Sequence, residues 1–176
     1  MKTHEKQSGK SNGRRQEGEK LIASNPSARA NYFITEVVEA GLVLCGTEVK
    51  SLRLASPNLK EAFVEVRPQG RSLEAWLLNA TVSPYSHGNI WNHDPSRRRK
   101  LLLHAHQLKH LWISVTQKGQ SVIPLRMYFK KGLAKVELGI GKGKKKYDKR
   151  ETLKKKSAER EMDIERKASR LKSQAD

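Results

Sequence analysis

The sequence predicts a mainly β fold: a small closed barrel of the oligonucleotide-binding type, with about six antiparallel strands, two or three short helices and a basic C-terminal tail. Three observations lead there. Apolar side chains in the central region recur mostly with period two, the signature of half-buried strands. Glycine-containing turns separate the alternating runs. The chain of 176 residues carries 36 Lys and Arg against 18 Asp and Glu, a net charge of +18, which marks a binder of polyanions. A closed sheet leaves no exposed edge, and this barrel type suits a basic chain that binds oligonucleotides.

In chain order, Tyr32, Ile34 and Glu36 alternate with Phe33, Thr35 and Val37, which predicts a strand ending near Ala40 and Gly41. Thr47 to Leu54 predicts a short helix. Glu61 to Val66 and Leu73 to Val82 flank Pro68-Gln69-Gly70, a hairpin with a glycine turn. From His106 to Thr116 the apolar residues Leu108, Leu111, Trp112 and Val115 fall at helical spacing before Lys118-Gly119. Leu125, Met127 and Phe129, then Ala134, Val136, Leu138 and Ile140, alternate with polar or small residues on either side of Lys131-Gly132, which predicts a second hairpin.

Charge and apolar content divide the chain into three. Residues 1–20, with six basic and three acidic side chains and no large aliphatic after Met1, form an expected disordered basic arm. Residues 21–140 hold every Trp and Phe and form the expected barrel. Residues 141–176 carry fourteen basic and seven acidic residues and few large aliphatics, too few to offset the entropy of ordering. This tail is expected to be disordered when free and helical when bound, because Glu151 with Lys155 and Asp163 with Lys167 are acid-first pairs four apart.

Several functional classes find little support. No run has the ~20 apolar residues of a membrane span, and no apolar stretch follows Met1 as in a secretory leader, so a cytoplasmic protein that does not engage a membrane is expected. Cys45 is the single cysteine, which excludes an internal disulfide and predicts a small buried filler. His106 and His110 would share a helix face, but no Glu or Cys set accompanies them, so no metal site is expected. Gly139, Gly141 and Gly143 with Lys144 lack the spacing of a phosphate loop and the Ser or Thr that would hold magnesium. No catalytic residue and no cofactor are expected, and the protein is read as no enzyme.

The candidate binding residues are cations and their neighbours. Lys50, Arg53, Arg99, Lys100 and Lys135 offer donors for phosphate. Tyr32 offers a ring for stacking, against the alternative of a half-buried strand aromatic. Glu39 and Glu48 cannot pair with phosphate; they accept from base amino groups or 2′-hydroxyls, or else make internal pairs with Lys50 or Arg53. Lys142, Lys144, Lys145 and Lys146 form a dense cationic segment just before Tyr147, Asp148, Lys149 and Arg150.

From Glu39-Ala40-Gly41-Leu42-Val43-Leu44 through Gly46-Thr47-Glu48-Val49-Lys50-Ser51-Leu52-Arg53 the sequence resembles the SsrA-binding protein family, also called small protein B. Asn58-Leu59, Asp94-Pro95 with Arg97, the run Arg99 to Leu103, Pro124-Leu125 with Tyr128-Phe129, and Gly143-Lys144-Lys145 before Tyr147 to Glu151 agree in order and spacing. The segment Asn25-Pro26-Ser27-Ala28-Arg29-Ala30-Asn31-Tyr32 departs from the basic residues and His-Asp-Tyr or His-Glu-Tyr triplet usual there. The resemblance implies a barrel that grips the tRNA-like domain of transfer-messenger RNA and a tail that enters stalled ribosomes. It implies RNA contacts by Asn25, Tyr32, Glu39, Lys50, Arg53, Lys100, Leu102, Lys135, Lys142, Lys144 and Lys145, and ribosome contacts by Tyr147, Asp148, Lys149 and Arg150. The expected partners are that RNA and the small ribosomal subunit, at its decoding centre and message channel, bound by a monomer.

Overall fold

The computed structural model describes residues 18–145 and residue 162. In chain order its elements are β1 (Glu19–Ser24), α1 (Pro26–Asn31), β2 (Tyr32–Leu42), α2 (Gly46–Leu54), β3 (Phe63–Gln69), β4 (Ser72–Leu78), a single 3-10 turn (Asn89–Trp91), β5 (Arg99–Leu102), α3 (Ala105–Thr116), β6 (Ser121–Lys130) and β7 (Leu133–Gly143). The fold is mainly β and antiparallel, as expected, with seven strands instead of about six.

The strands pair in the order β1-β6-β3-β4-β5-β2-β7, and β7 pairs again with β6. Six strands therefore form a closed ring of pairings, and β1 lies outside it along the second half of β6, from Lys130 to Arg126. The ring is uneven. β2 and β7 pair over most of their length, whereas β3 and β6 meet in the register only at Val64 and Val122. A groove of about 630 Å³ opens at that thin seam, with Tyr32, Phe63 and Val115 among its walls. The main core fills the ring with residues such as Leu77, Leu101, Met127, Val136 and Leu138, and α3 adds Leu111, with Leu108, Trp112 and Val115 packed beside it. Their spacing is the one that predicts this helix.

Local chemistry explains the elements. Lys131 and Gly132 both have positive φ, 51° and 79°, so the β6–β7 hairpin turns through two left-handed residues whose twist matches the strands. The β3–β4 hairpin turns at Gly70 and Arg71, with Pro68 opposite Leu73 inside the ladder rather than in the turn. A proline is tolerated there because the outer edge of β3 has already parted from β6. β4 stops at Leu78, short of the expected Val82, where Asn79 takes a φ of 55°.

Two elements depart from the expected layout at the N-terminus. β1 begins at Glu19, so Glu19 and Lys20 belong to the sheet and not to the arm; the Glu19 carboxylate lies 3.2 Å from Lys130 Nζ and 3.5 Å from Arg126. The segment after it forms α1, capped by Asn25 Oδ1, which accepts from the Ala28 N–H at 3.3 Å, with Pro26 opening the helix. At the other end β7 runs to Gly143, beyond the expected limit at Ile140. Among the described residues no helix is long and apolar enough to cross a membrane.

Candidate nucleic-acid interface

Register brings one group of predicted residues together. On β2, Gly41 is opposite Leu102 of β5 on one side and Lys135 of β7 on the other. Glu39, two residues earlier, projects from the same face as Gly41. Glu39, Leu102 and Lys135 thus line one open cleft of about 380 Å³, together with His104, which caps α3, and Gln107 in its first turn. Leu102 is 56% exposed, an apolar side chain left in water at the centre of a polar site.

The cleft carboxylate is held by its neighbours. Tyr128 and Lys135 both donate to Glu39, and Lys130 Nζ lies 3.7 Å from its second oxygen. The hydrogen bond from Lys135 first, and that from Tyr128 second, hold the Glu39 carboxyl below its ordinary range. Burial, then the bond to Glu39, pushes the Tyr128 hydroxyl up. Tyr128 is itself buried, and the Arg126 guanidinium lies 4.9 Å from its ring centre. Because the lowered carboxyl of Glu39 is ionised throughout the neutral range, the contribution of these pairs is present above the ordinary carboxylate pKa and is lost as pH falls through the depressed folded value. We expect an NMR titration to place the Glu39 carboxyl below the free glutamate value, and Lys135→Met to move it back up. A Glu39 midpoint unchanged by Lys135→Met would show that the pair carries no charge coupling.

This arrangement offers three chemistries within one cleft. The Lys135 ammonium has protons left for a phosphate, Glu39 has lone pairs left for a 2′-hydroxyl or an exocyclic amine, and Leu102 covers the apolar face of a base or ribose.

The remaining predicted residues fall elsewhere. Lys50 and Arg53 are exposed on α2, with Lys50 Nζ 5.6 Å from the Tyr85 ring centre. Lys100 pairs with Glu74 and lies 6.0 Å from the Trp76 ring centre. Lys142 and Lys145 are exposed beyond the core part of β7. Lys144 Nζ donates to Arg29 O at 3.1 Å and sits 4.8 Å from the Phe33 ring centre. Tyr32 is half-buried against the small cluster of Ala28, Ile123 and Leu125. Tyr147, Asp148, Lys149 and Arg150 lie outside the described residues.

Four expectations are corrected. Asn25 is not an open surface donor but 5% exposed, its amide donating to Leu59 O at 2.8 Å and Pro124 O at 3.1 Å while its Oδ1 caps α1. Arg99 is fully buried and no phosphate ligand. It donates from Nε to Glu48 at 2.8 Å, to Arg97 O and Pro95 O at 3.0 Å each, and to Ala80 O. Glu48 is likewise buried, and its internal partners are Arg97 and Arg99 rather than Lys50 or Arg53. Cys45 is exposed and not buried, because it precedes α2, where its N–H donates to Glu48 Oε2 at 2.8 Å. Sequence reasoning missed Tyr128 as the buried partner of Glu39, although its place opposite Lys135 follows from the hairpin that the alternation predicts.

The family described as SmpB protein matches residues 22–168. The chain is 55% identical to an SsrA-binding protein of Geobacter metallireducens over 82% of its own length and 92% of the relative's. It is 53% identical to one of Desulforudis audaxviator over 83% and 93%. Among solved structures it is similar to a chain of "tmRNA-SmpB: a journey to the center of the bacterial ribosome", at a TM-score of 0.58 and 42% identity, over 76% of this chain and 94% of that one.

Proposed function

Because the chain belongs to the SmpB protein family, we propose that it binds transfer-messenger RNA, the SsrA RNA, and delivers it to stalled bacterial ribosomes for trans-translation, ribosome rescue and the tagging of incomplete peptides. The relatives are RNA-binding proteins by name, and a solved relative is described together with that RNA and the ribosome. The protein acts by binding. Peptide transfer belongs to the ribosome, and no step needs a catalytic side chain of this chain.

The observation that carries the reading is the convergence of Glu39, Leu102 and Lys135 from three different strands on one open cleft. We assign the tRNA-like domain of the RNA to that cleft. Lys50, Arg53, Lys100, Lys142 and Lys145 extend the electrostatic footprint around it, holding backbone phosphates without reading sequence.

Leu102 provides the cleanest test, since an exposed leucine contributes little to folding. Leu102→Ala is expected to leave stability within about 0.5 kcal/mol. It should weaken binding of transfer-messenger RNA by about 1–2 kcal/mol, the worth of the apolar surface the RNA would cover. Titration of labelled RNA beside a urea melt gives both numbers. Unchanged affinity for Leu102→Ala, with Lys135→Ala also neutral, would move the RNA site away from this cleft.

A further inference from the structure

Between β4 and β5 the chain makes a long excursion whose tip is apolar yet turned to water. Ile90 is 80% and Trp91 83% exposed, more than any other large apolar side chain among the described residues. A side chain of this kind on a slack loop would carry no message, but this loop is tied at its neck and at its foot. The Tyr85 N–H donates to Asn92 Oδ1 at 3.1 Å and the Asn92 amide donates back to Tyr85 O at 2.8 Å, so one side chain closes the loop as a strand partner would. Asn92 Oδ1 also takes the His93 N–H at 3.2 Å. Gly88 sits against that lock: a Cβ there would lie 2.7 Å from the Asn92 amide nitrogen, which cannot move without giving up Tyr85. Below the neck, buried His93 has Nδ1 3.1 Å from Thr47 Oγ1 and Nε2 3.3 Å from Val82 O, and Ser51 Oγ donates to Ser83 O at 2.6 Å. The loop therefore stands against α2, holding Trp91 outward.

Cations stand at the neck and foot of the loop. Lys50 reaches the ring of Tyr85 from α2, and Arg53 follows three residues later on the same helix face. Arg98 is exposed where the loop returns to β5. The one acid of the loop, Asp94, accepts from the Ser96 N–H at 2.9 Å, and Glu48 on α2 is buried between Arg97 and Arg99. A flat exposed indole, a second apolar side chain beside it in the chain and cations at the base of the same loop form a combination suited to a base on the ring and phosphates on the cations. A tip of two apolar residues is too small for the apolar centre of a stable protein interface, and it lacks the helical apolar face that lies in a lipid surface.

We infer that this loop is a second RNA contact, outside the Glu39–Leu102–Lys135 cleft, in which Trp91 stacks on an unpaired base while Lys50, Arg53 and Arg98 hold the adjoining phosphates. The inference rests on the RNA-binding reading above, and the cleft substitution serves as its control.

The experiment uses the full chain with three probes: a single-stranded RNA of mixed sequence, its fully paired duplex, and transfer-messenger RNA. Tryptophan emission of the wild type is expected to be quenched by the single strand more than by the duplex. Trp91→Ala should abolish that difference and weaken single-strand binding about tenfold, within the range that one stacked base supplies. Trp91→Phe should retain affinity within a fewfold, and Trp91→Leu should fall with Trp91→Ala. Circular dichroism should show all three variants folded, since Trp91 is exposed. If Trp91→Ala binds the single strand and transfer-messenger RNA as the wild type does while Leu102→Ala remains defective, the loop is no RNA contact and the cleft reading stands. If Trp91→Leu binds as the wild type does, the contact is apolar without stacking, as a protein partner would require, and the inference fails. If the wild type binds none of the three probes, both readings fail together.

Discussion

A chain ending at Lys145 is expected to fold, to bind transfer-messenger RNA with at most a modest loss, and to support no peptide tagging on ribosomes stalled at truncated messages. The place of the cut follows from the last ties of the sheet. β7 ends at Gly143, but the Lys144 N–H still donates to Asn31 O at 2.8 Å, and its ammonium still reaches Arg29 O and the Phe33 ring. A cut at Gly143 would remove those ties and confuse a folding defect with a functional one. Residues 146–176, which include eleven basic and seven acidic side chains, remove little net charge when deleted, so the electrostatic grip on RNA should largely persist. What the deletion takes away is Tyr147, Asp148, Lys149 and Arg150, a ring among charges suited to ribosomal RNA. Alanine at all four should reproduce the tagging defect in the full-length chain. RNA affinity and tagging measured side by side decide the matter, and tagging by the shortened chain at the full rate would remove the tail from the mechanism.

The largest expected loss of stability follows from Glu48→Ala. The Glu48 carboxylate has no solvent exposure and receives Arg97 Nε and Arg99 Nε at 2.8 Å each, a second Arg97 nitrogen, and the Cys45 N–H. Burial pushes its pKa up, but the hydrogen bonds from Arg97 and Cys45 and the charges of both arginines outweigh burial and hold it below the ordinary value. Removing this carboxylate leaves the Arg99 guanidinium buried without a counter-charge, a situation that costs about 3–5 kcal/mol. Against a total stability of roughly 5–15 kcal/mol, that is a large fraction of the whole. Because the folded pKa is depressed, the contribution of Glu48 is present above the ordinary carboxylate pKa and disappears as pH falls through the folded value. Glu48→Gln should therefore be less stable at neutral pH and lose less on acidification. Urea melts across pH give both readouts. A loss below about 1 kcal/mol for Glu48→Ala would mean that Arg99 finds water or another acceptor on its own.

The sequence alone determined whatever depends on near neighbours. The alternation on either side of Lys131-Gly132 gave the β6–β7 hairpin, because pleat and turn chemistry are local. The spacing of Leu108, Leu111, Trp112 and Val115 gave α3 for the same reason. The Asn25-Pro26 pair is a local helix start of the same kind, an Asn cap followed by a proline in the first turn. Resemblance singled out Glu39, Leu102 and Lys135 one by one. That they share a cleft was decided by the tertiary structure, because β5 and β7 flank β2 only through pairings that span long stretches of chain. Arg99 marks the same limit. In the run Arg97-Arg98-Arg99-Lys100 nothing local separates a surface cation from a buried one. Arg99 is buried because the fold brings to it a carboxylate 51 residues away, and Glu48 is internal for the same reason. Burial of a charge is tolerable only where a partner and enough hydrogen bonds meet it. Only the closed sheet, by pairing distant strands, determines where that happens.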